Sequence, residues 1–441
     1  MKLIRQTDPQ FDEHVRELVA QSSMFDPVIE ARAREIIDAV RARGDAALIE
    51  FTEQFDGVRL RPDQLAVTKP ELVTACIKAD RALRDAVADA ARNIAAYARR
   101  SLRKDWEMKN AHGAVVGEKF DPYQRVGIYV PGGTAPLVST ALMTVLLAKV
   151  AGCPEIVVCT PCSKDGTINP ALLFAIRTSG ATEVYRIGGA QAIAAMAYGT
   201  ETIRPVQKIF GPGNAYVVAA KRLVFGKVAV DLLPGPSELL VIADDTAHPK
   251  YVAADMLAQA EHGSGSERIW LVTTSARLIS AVRLQLMQQL QKLSRKEFIQ
   301  RVLDSNTWLI HVRTIGDAVK LANEIAPEHC QVVARNAQAV ARQLRTAGAV
   351  FIGPWSPTVL GDYVAGPSHT LPTGGAGAAF GGLSVDQFQR RTSIIQYSRA
   401  ALRRALPTVQ KFAELEGLHA HGISAQIRCL GPKKQVRAGR T

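Results

Sequence analysis

From Val126 onward the chain alternates short, uninterrupted apolar runs with segments of helical character, and this rhythm restricts the fold more than any other feature. The runs are 126–130, 155–159 and 183–187, with helices expected over about 139–151, 170–178 and 190–197. A strand that is apolar along its whole length must be covered on both faces. Parallel sheets flanked by helices meet that demand. A second series follows at 239–242, 269–273, 332–333 and 350–352. The 441 residues exceed what one core usually organises. Two α/β domains on parallel sheets are therefore expected.

Upstream, Asp26-Pro27 is a helix start. Ile29, Ile36, Ile37 and Val40 recur at helical spacing, and Gly44 marks the stop. A second helix is expected over about 80–99, with Leu83, Val87, Ile94 and Tyr97 as its apolar stripe. After Gly353 the chain is rich in glycine and proline as far as Gly382, which predicts irregular backbone of the kind that often carries function. A small helical element over about 412–429 and a basic tail close the chain.

With 47% apolar and 22% charged residues the composition is that of a soluble globular protein. The longest apolar stretch, 141–152, is broken by Lys149 and is too short for a bilayer. Asp8 interrupts the N-terminus before any signal-peptide core forms. The six cysteines lack disulfide spacing, so reduced thiols in a cytoplasmic protein are expected. Cys159 and Cys162 form a CxxC pair, but it ends a strand and has no second pair. The net charge of +13 raises nucleic-acid binding. Four of those charges (Lys433, Lys434, Arg437, Arg440) crowd the tail, and no basic–aromatic interleaving accompanies the others. A field that draws anionic ligands accounts for the charge, with neither nucleic acid nor membrane as partner.

Several residues could carry chemistry. Gln259 and His262 are three apart on a helix expected over about 250–262, hence on one face. Asp362 and His421, distant in sequence, could complete a metal site with them. Glutamine is an uncommon zinc ligand, and a histidine before Gly263 is also an ordinary helix end. Glu328 and His329 are adjacent acid–base groups after Pro327, or a surface pair. Gly132-Gly133, Gly188-Gly189 and Gly211-Pro212-Gly213 follow strands and could bring N–H groups to phosphates, or simply make tight turns. No complete GxGxxG is present, since 211–216 lacks the third glycine. His369 reads as a loop histidine. His419 and His421 would face different ways on a helix, so at most one shares a site with Gln259.

The chain resembles the histidinol dehydrogenase family. The resemblance rests on Arg125-Val-Gly-Ile-Tyr-Val-Pro-Gly-Gly133, Tyr185-Arg-Ile-Gly-Gly-Ala-Gln-Ala-Ile193, Lys208-Ile-Phe-Gly-Pro-Gly-Asn214, Gly235-Pro-Ser-Glu238, Gln259-Ala-Glu-His-Gly263, Ala326-Pro-Glu-His329, Gly361-Asp-Tyr363, Pro367-Ser-His-Thr-Leu-Pro-Thr-Gly-Gly375 and Glu416-Gly-Leu-His-Ala-His421. These run in order along nearly the whole chain. The resemblance implies two incomplete Rossmann-like domains with small helical elements at both termini. It implies zinc held by Gln259, His262, Asp362 and His421, and NAD contacts at Tyr129, Gln191 and Asn214. It implies substrate contacts at Ser237, His329, Glu416 and His369 besides the zinc ligands, with Glu328 and His329 catalytic. It also implies a homodimer with composite sites, its C-terminal element reaching the partner subunit.

On this basis the chain divides into an N-terminal dimerisation element (1–25), a first α/β domain with the zinc and catalytic residues (26–128 and 239–383), an NAD-binding α/β domain (129–238) and a C-terminal element (384–441). The expected activity is oxidation of L-histidinol through L-histidinal to L-histidine with two NAD, in histidine biosynthesis. The alternatives are a related zinc- and NAD-dependent dehydrogenase of another polar alcohol, such as a sulfonated diol, and a zinc hydrolase.

Overall fold

Five parallel strands, in the spatial order Glu183–Arg186, Glu155–Thr160, Arg125–Tyr129, Lys208–Phe210 and Ala229–Val230, form one sheet of the computed structural model. The structure describes residues 1–20, 26–132, 136–262 and 264–430. Gly133, Gly263, the charges at 433–440 and residues 21–25 of the expected N-terminal element lie outside the described residues. Arg125–Tyr129 comes first in the chain. The next two strands add to one side of it and the last two to the other. At such a reversal a crevice opens beyond the carboxyl ends of the strands.

The second sheet has six parallel strands in the order Lys2–Arg5, Thr307–His311, Arg268–Thr273, Glu238–Ala243, His329–Val333 and Ala349–Ile352. Without its first strand it repeats the order of the first sheet, with the reversal between Glu238–Ala243 and His329–Val333. The expected α/β class with two incomplete Rossmann-like parallel sheets is what forms. Thr307–His311, Lys208–Phe210 and Ala229–Val230 lie outside the runs expected from sequence. They are strands because neighbouring strands offer their backbone groups to pair with.

Helix Pro27–Arg43 begins and ends as its sequence dictates. Asp26 Oδ1 accepts the Val28 N–H at 2.8 Å, and Gly44, at φ +54°, donates its N–H to the Val40 carbonyl. Its buried face (Ala33, Ile36, Ile37, Val40) shares a core with Tyr129, Val157, Tyr185 and Ile193 of the five-stranded sheet and its helices. The helices Pro27–Arg43, Asp45–Asp56, Lys69–Lys78 and Arg81–Ser101 pack on the helices of the five-stranded sheet, where their apolar faces are covered. Lys2–Arg5 is an edge strand, and Phe11–Ala20 packs on helix Ile315–Ile325.

Residues 102–122 and 389–430 form a second compact unit. Its framework is an antiparallel sheet of Trp106–Lys109, Val115–Pro122 and Gln389–Gln396, followed by the packed helices Arg399–Leu415 and His419–Leu430. The sheet has no counterpart in the expectation of a purely helical terminus. Between 353 and 388 the backbone is mostly irregular, as glycine and proline predict, apart from Val359–Tyr363 and two 3₁₀ turns. Among the described residues no helix is long and apolar enough to cross a membrane.

Arg125 ties three strands of the first sheet together at their amino ends. Its Nη1 donates to Glu155 (2.7 Å) and Glu183 (2.6 Å), and its Nη2 donates to Glu183 (2.8 Å). This bidentate contact is the main reason the Glu183 carboxyl is pulled down to about 2. A depressed carboxylate stabilises the fold above its unfolded value of 4.5, and the contribution fades as pH falls toward 2. Glu183→Gln should cost roughly 2 kcal/mol at neutral pH, less than for a fully buried pair because Glu183 keeps 28% exposure. Urea titrations should show the gap from wild type widest above pH 5 and narrowing below 4.5. A gap constant with pH would deny the pair this role.

Candidate active site

His329 is the first residue of strand His329–Val333 and lies opposite Leu239, so the Glu328–His329 pair sits at the amino end of the strand beside Glu238. Both side chains are buried, which rules out the surface-pair reading. The Glu238 backbone holds both. Its N–H donates to Glu328 Oε2 at 2.8 Å, and its carbonyl lies 3.0 Å from His329 Nδ1. A carbonyl only accepts, so the Nδ1 proton faces it and Nε2 is the atom left to exchange protons. Burial pulls the imidazole pKa down. The Glu328 carboxylate, 3.4 Å from Nδ1, leads the opposing influences and the net result is about 9.

Glu238 is itself buried and pushed up to about 7, chiefly by burial and against the pull of Arg268 at 3.4 Å. The Arg268 guanidinium lies 4.7 Å above the Trp270 ring and donates to the Leu18 carbonyl. Neither supporting residue was singled out from sequence. Glu238 stands inside a family-like stretch but outside the chemistry assigned to it, and Arg268 had no signal.

Asp362 and His369 come together within the irregular segment. The Asp362 carbonyl accepts from His369 Nδ1 at 3.1 Å, and Thr140 Oγ lies 3.3 Å from Nε2. His369 is therefore half-buried and bonded on both nitrogens rather than a solvated loop residue. Burial lowers its pKa. Asp362 acts electrostatically on both His329 and His369, which places the three in one neighbourhood.

Gln259 and His262 do not share a helix face. Helix Pro249–Ala260 ends before His262, whose Nδ1 turns back to the Gln259 carbonyl at 3.0 Å. That bond satisfies a carbonyl left open at the helix end and frees Nε2. The Gln259 side chain is buried, and its Nε2 has no hydrogen-bond partner. Ser237 precedes strand Glu238–Ala243, and its carbonyl accepts from the Arg268 N–H. Glu416 and His421 belong to the second unit and are exposed. Glu416 caps helix Arg399–Leu415, and His421 lies in the first turn of His419–Leu430. Among the described residues no three His, Cys, Asp or Glu side chains are grouped to hold a metal ion.

Tyr129, Gln191 and Asn214 meet in a cavity of about 1030 Å³ beyond the carboxyl ends of the five-stranded sheet. Gly188 and Gly189 line it too. The Gly189 N–H donates to the Tyr129 hydroxyl at 3.1 Å, at a backbone φ of +63°. Burial pushes Tyr129 up to about 12, so its hydroxyl stays protonated. Asn214 Oδ1 accepts from the Tyr216 and Val217 N–H groups and caps helix Ala215–Val224, leaving its amide N–H groups for a ligand. A Cβ at Gly211 would strike the Tyr129 carbonyl, so only glycine lets this turn approach the central strand. Gln191 is buried with neither side-chain polar atom bonded, which marks a place for a polar ligand group. Burial raises the Cys159 and Cys162 thiols to about 12 and about 11, and all six cysteines are free.

A model of the histidinol dehydrogenase family matches residues 20–429. A histidinol dehydrogenase of Geobacillus kaustophilus is 48% identical over 394 residues, covering 89% of this chain and 92% of that protein. One from Synechococcus sp. is 46% identical, covering 90% and 92%. The crystal structure of histidinol dehydrogenase from Elizabethkingia anophelis matches with a TM-score of 0.92 at 34% identity, covering 97% of this chain and 98% of that one. With a buried acid–base pair at one sheet and a ligand cavity at the other, this chain belongs to the histidinol dehydrogenase family.

Proposed function

We propose that the chain oxidises L-histidinol through L-histidinal to L-histidine with two NAD, in the cytoplasm, as a step of histidine biosynthesis. The observation that carries this is the buried Glu328–His329 pair, its ring held so that Nε2 is the atom that exchanges protons. The cavity of Tyr129, Gln191 and Asn214 supports a dinucleotide site, since it offers an unbonded buried amide and the start of helix Ala215–Val224. The dinucleotide, when bound, accepts hydride.

Zinc is assigned to Gln259, His262, Asp362 and His421. The fit rests on the Nε2 of His262, left open by the Nδ1 contact with the Gln259 carbonyl. Bound there, zinc supplies Lewis-acid pull and a fixed point for substrate nitrogens. In the first oxidation His329 Nε2 takes the hydroxyl proton as the carbinol hydride leaves. Glu328 then removes a proton from the water that adds to the aldehyde, while His329 returns its proton to the former carbonyl oxygen and is neutral again. In the second oxidation His329 deprotonates the hydrate as the second hydride leaves. Ser237, His369 and Glu416 are the substrate-positioning groups. Oxidation of histidinol with NADH formation separates this reading from a dehydrogenase of another alcohol and from a zinc hydrolase.

Only a neutral ring accepts a proton, so kcat/KM for the alcohol should climb as pH rises through the raised His329 value of about 9. Glu328→Gln removes the first of the influences that raise it, which should move this limb to lower pH. The same variant should slow oxidation of supplied aldehyde more than that of the alcohol. His329→Asn should slow both by roughly 10²–10⁴-fold. Equal losses in both half-reactions for Glu328→Gln, with an unmoved pH limb, would assign Glu328 a structural part only.

The composite homodimer is supported by the apolar surface of the second unit, where Phe412, Leu415, Ile423 and Ile427 are all more than half exposed. If His421 serves the site of the partner subunit, His262→Asn and His421→Asn homodimers should each be nearly inactive and poor in zinc. Co-expressed, they should form heterodimers that regain activity through one intact site. Purified, folded heterodimers that stay inactive with zinc supplied would show that each site is built within one chain.

A further inference from the structure

We infer that Asp56 is the residue of this cavity that receives the 2′-hydroxyl of the adenosine ribose of the dinucleotide, and so selects against one phosphorylated there. The inference rests on the dinucleotide reading above and extends it to a residue with no role so far.

Asp56 is the last residue of helix Asp45–Asp56 and lines the same cavity as Tyr129, Gln191 and Asn214. Its Oδ2 is buried without a hydrogen-bond partner. A carboxylate at a helix C-terminus also faces the negative end of the helix dipole. Burial alone pushes its pKa up to about 6. The fold gains nothing visible from this charge, and an uncompensated buried acceptor in a cavity calls for donors from a ligand.

Its location gives those donors an identity. Asp56 acts electrostatically on Tyr129 and on Cys162, so it stands near the ends of two neighbouring strands. Cys162 follows Glu155–Thr160, the second strand of this sheet in chain order. Dinucleotide folds of this winding take from that strand end, or just after it, an acid that bonds the ribose 2′-hydroxyl. Here residues 159–163 read Cys-Thr-Pro-Cys-Ser and contain no acid. Asp165, further on, is exposed and directs Oδ1 to the Thr167 N–H and hydroxyl. Asp56 thus brings a carboxylate to this strand end from a different element, which is why no spacing rule finds it. The other charged groups on the wall, Arg32 and Glu35, lie exposed on helix Pro27–Arg43, and Arg32 donates to the Tyr216 hydroxyl at 3.2 Å.

The test is the affinity of the full chain for NAD+, 2′-deoxy-NAD+ and NADP+, by calorimetry, in wild type, Asp56→Asn and Asp56→Glu. Wild type should prefer NAD+ to both analogues. Asp56→Asn should weaken NAD+ by roughly tenfold to a hundredfold. It should leave 2′-deoxy-NAD+ almost unchanged and narrow the gap to NADP+, while Asp56→Glu keeps part of the preference. Melting temperatures show whether the variants fold. Equal weakening of NAD+ and 2′-deoxy-NAD+ would make Asp56 a structural residue, and unchanged NAD+ affinity would remove it from the site. Either result leaves the dinucleotide cavity standing. A wild-type chain that binds no NAD+ overturns the cavity reading and the role of Asp56 with it.

Discussion

Two central strands of the six-stranded sheet, Glu238–Ala243 and His329–Val333, run parallel with His329 opposite Leu239, and that register sets what the buried acid–base pair can do. It brings the Glu238 backbone against Glu328 and His329 at once, amide to carboxylate and carbonyl to imidazole. Shifting the pairing by one residue would turn every side chain of the strand to the other face. The pair is thus held by backbone groups of a strand that the sheet fixes in place. Arg268, on the other strand that flanks Glu238–Ala243, answers the charge of Glu238 from beneath.

The two sheets share one winding order, but the cavity and the buried acid–base pair lie at opposite strand ends. The cavity of Tyr129, Gln191 and Asn214 lies beyond the carboxyl ends of the five-stranded sheet, where the order reverses. Glu238 and His329 stand at the amino ends of the six-stranded sheet. Segment 362–373 supplies a link between them. The Ser368 hydroxyl donates to the Met143 carbonyl and His369 pairs with Thr140, both on helix Val138–Ala151, while the Thr373 hydroxyl accepts from the Gly235 N–H just before Glu238.

A common device recurs at three histidines. His262, His329 and His369 each direct Nδ1 at a backbone carbonyl, of Gln259, Glu238 and Asp362 in turn. Each carbonyl dictates which nitrogen carries the proton; Nε2 of His369 meets Thr140, while Nε2 of His262 and His329 is left for other work. Backbone carbonyls do not titrate, so this assignment survives changes of pH that would release a carboxylate partner.

The α/β class, most strands and the bounds of helix Pro27–Arg43 were legible in the sequence, because local periodicity and capping residues act over a few residues. The residues Gln259, His262, Glu328, His329 and Asp362 could be named as candidates from their types, spacing and family-like motifs. What the sequence could not state is what those side chains touch. Helix Pro249–Ala260 stops short of His262 because the imidazole itself closes the last turn. The first helices pack beside the five-stranded sheet because that is where their apolar faces find cover. Glu238, Arg268 and Asp56 gained their significance from interactions with residues 30 or more positions away in the chain. The sequence by itself determined which segments become strands and helices, through interactions between near neighbours. The tertiary structure alone decided which of them meet, because burial and pairing depend on the whole chain closing on itself.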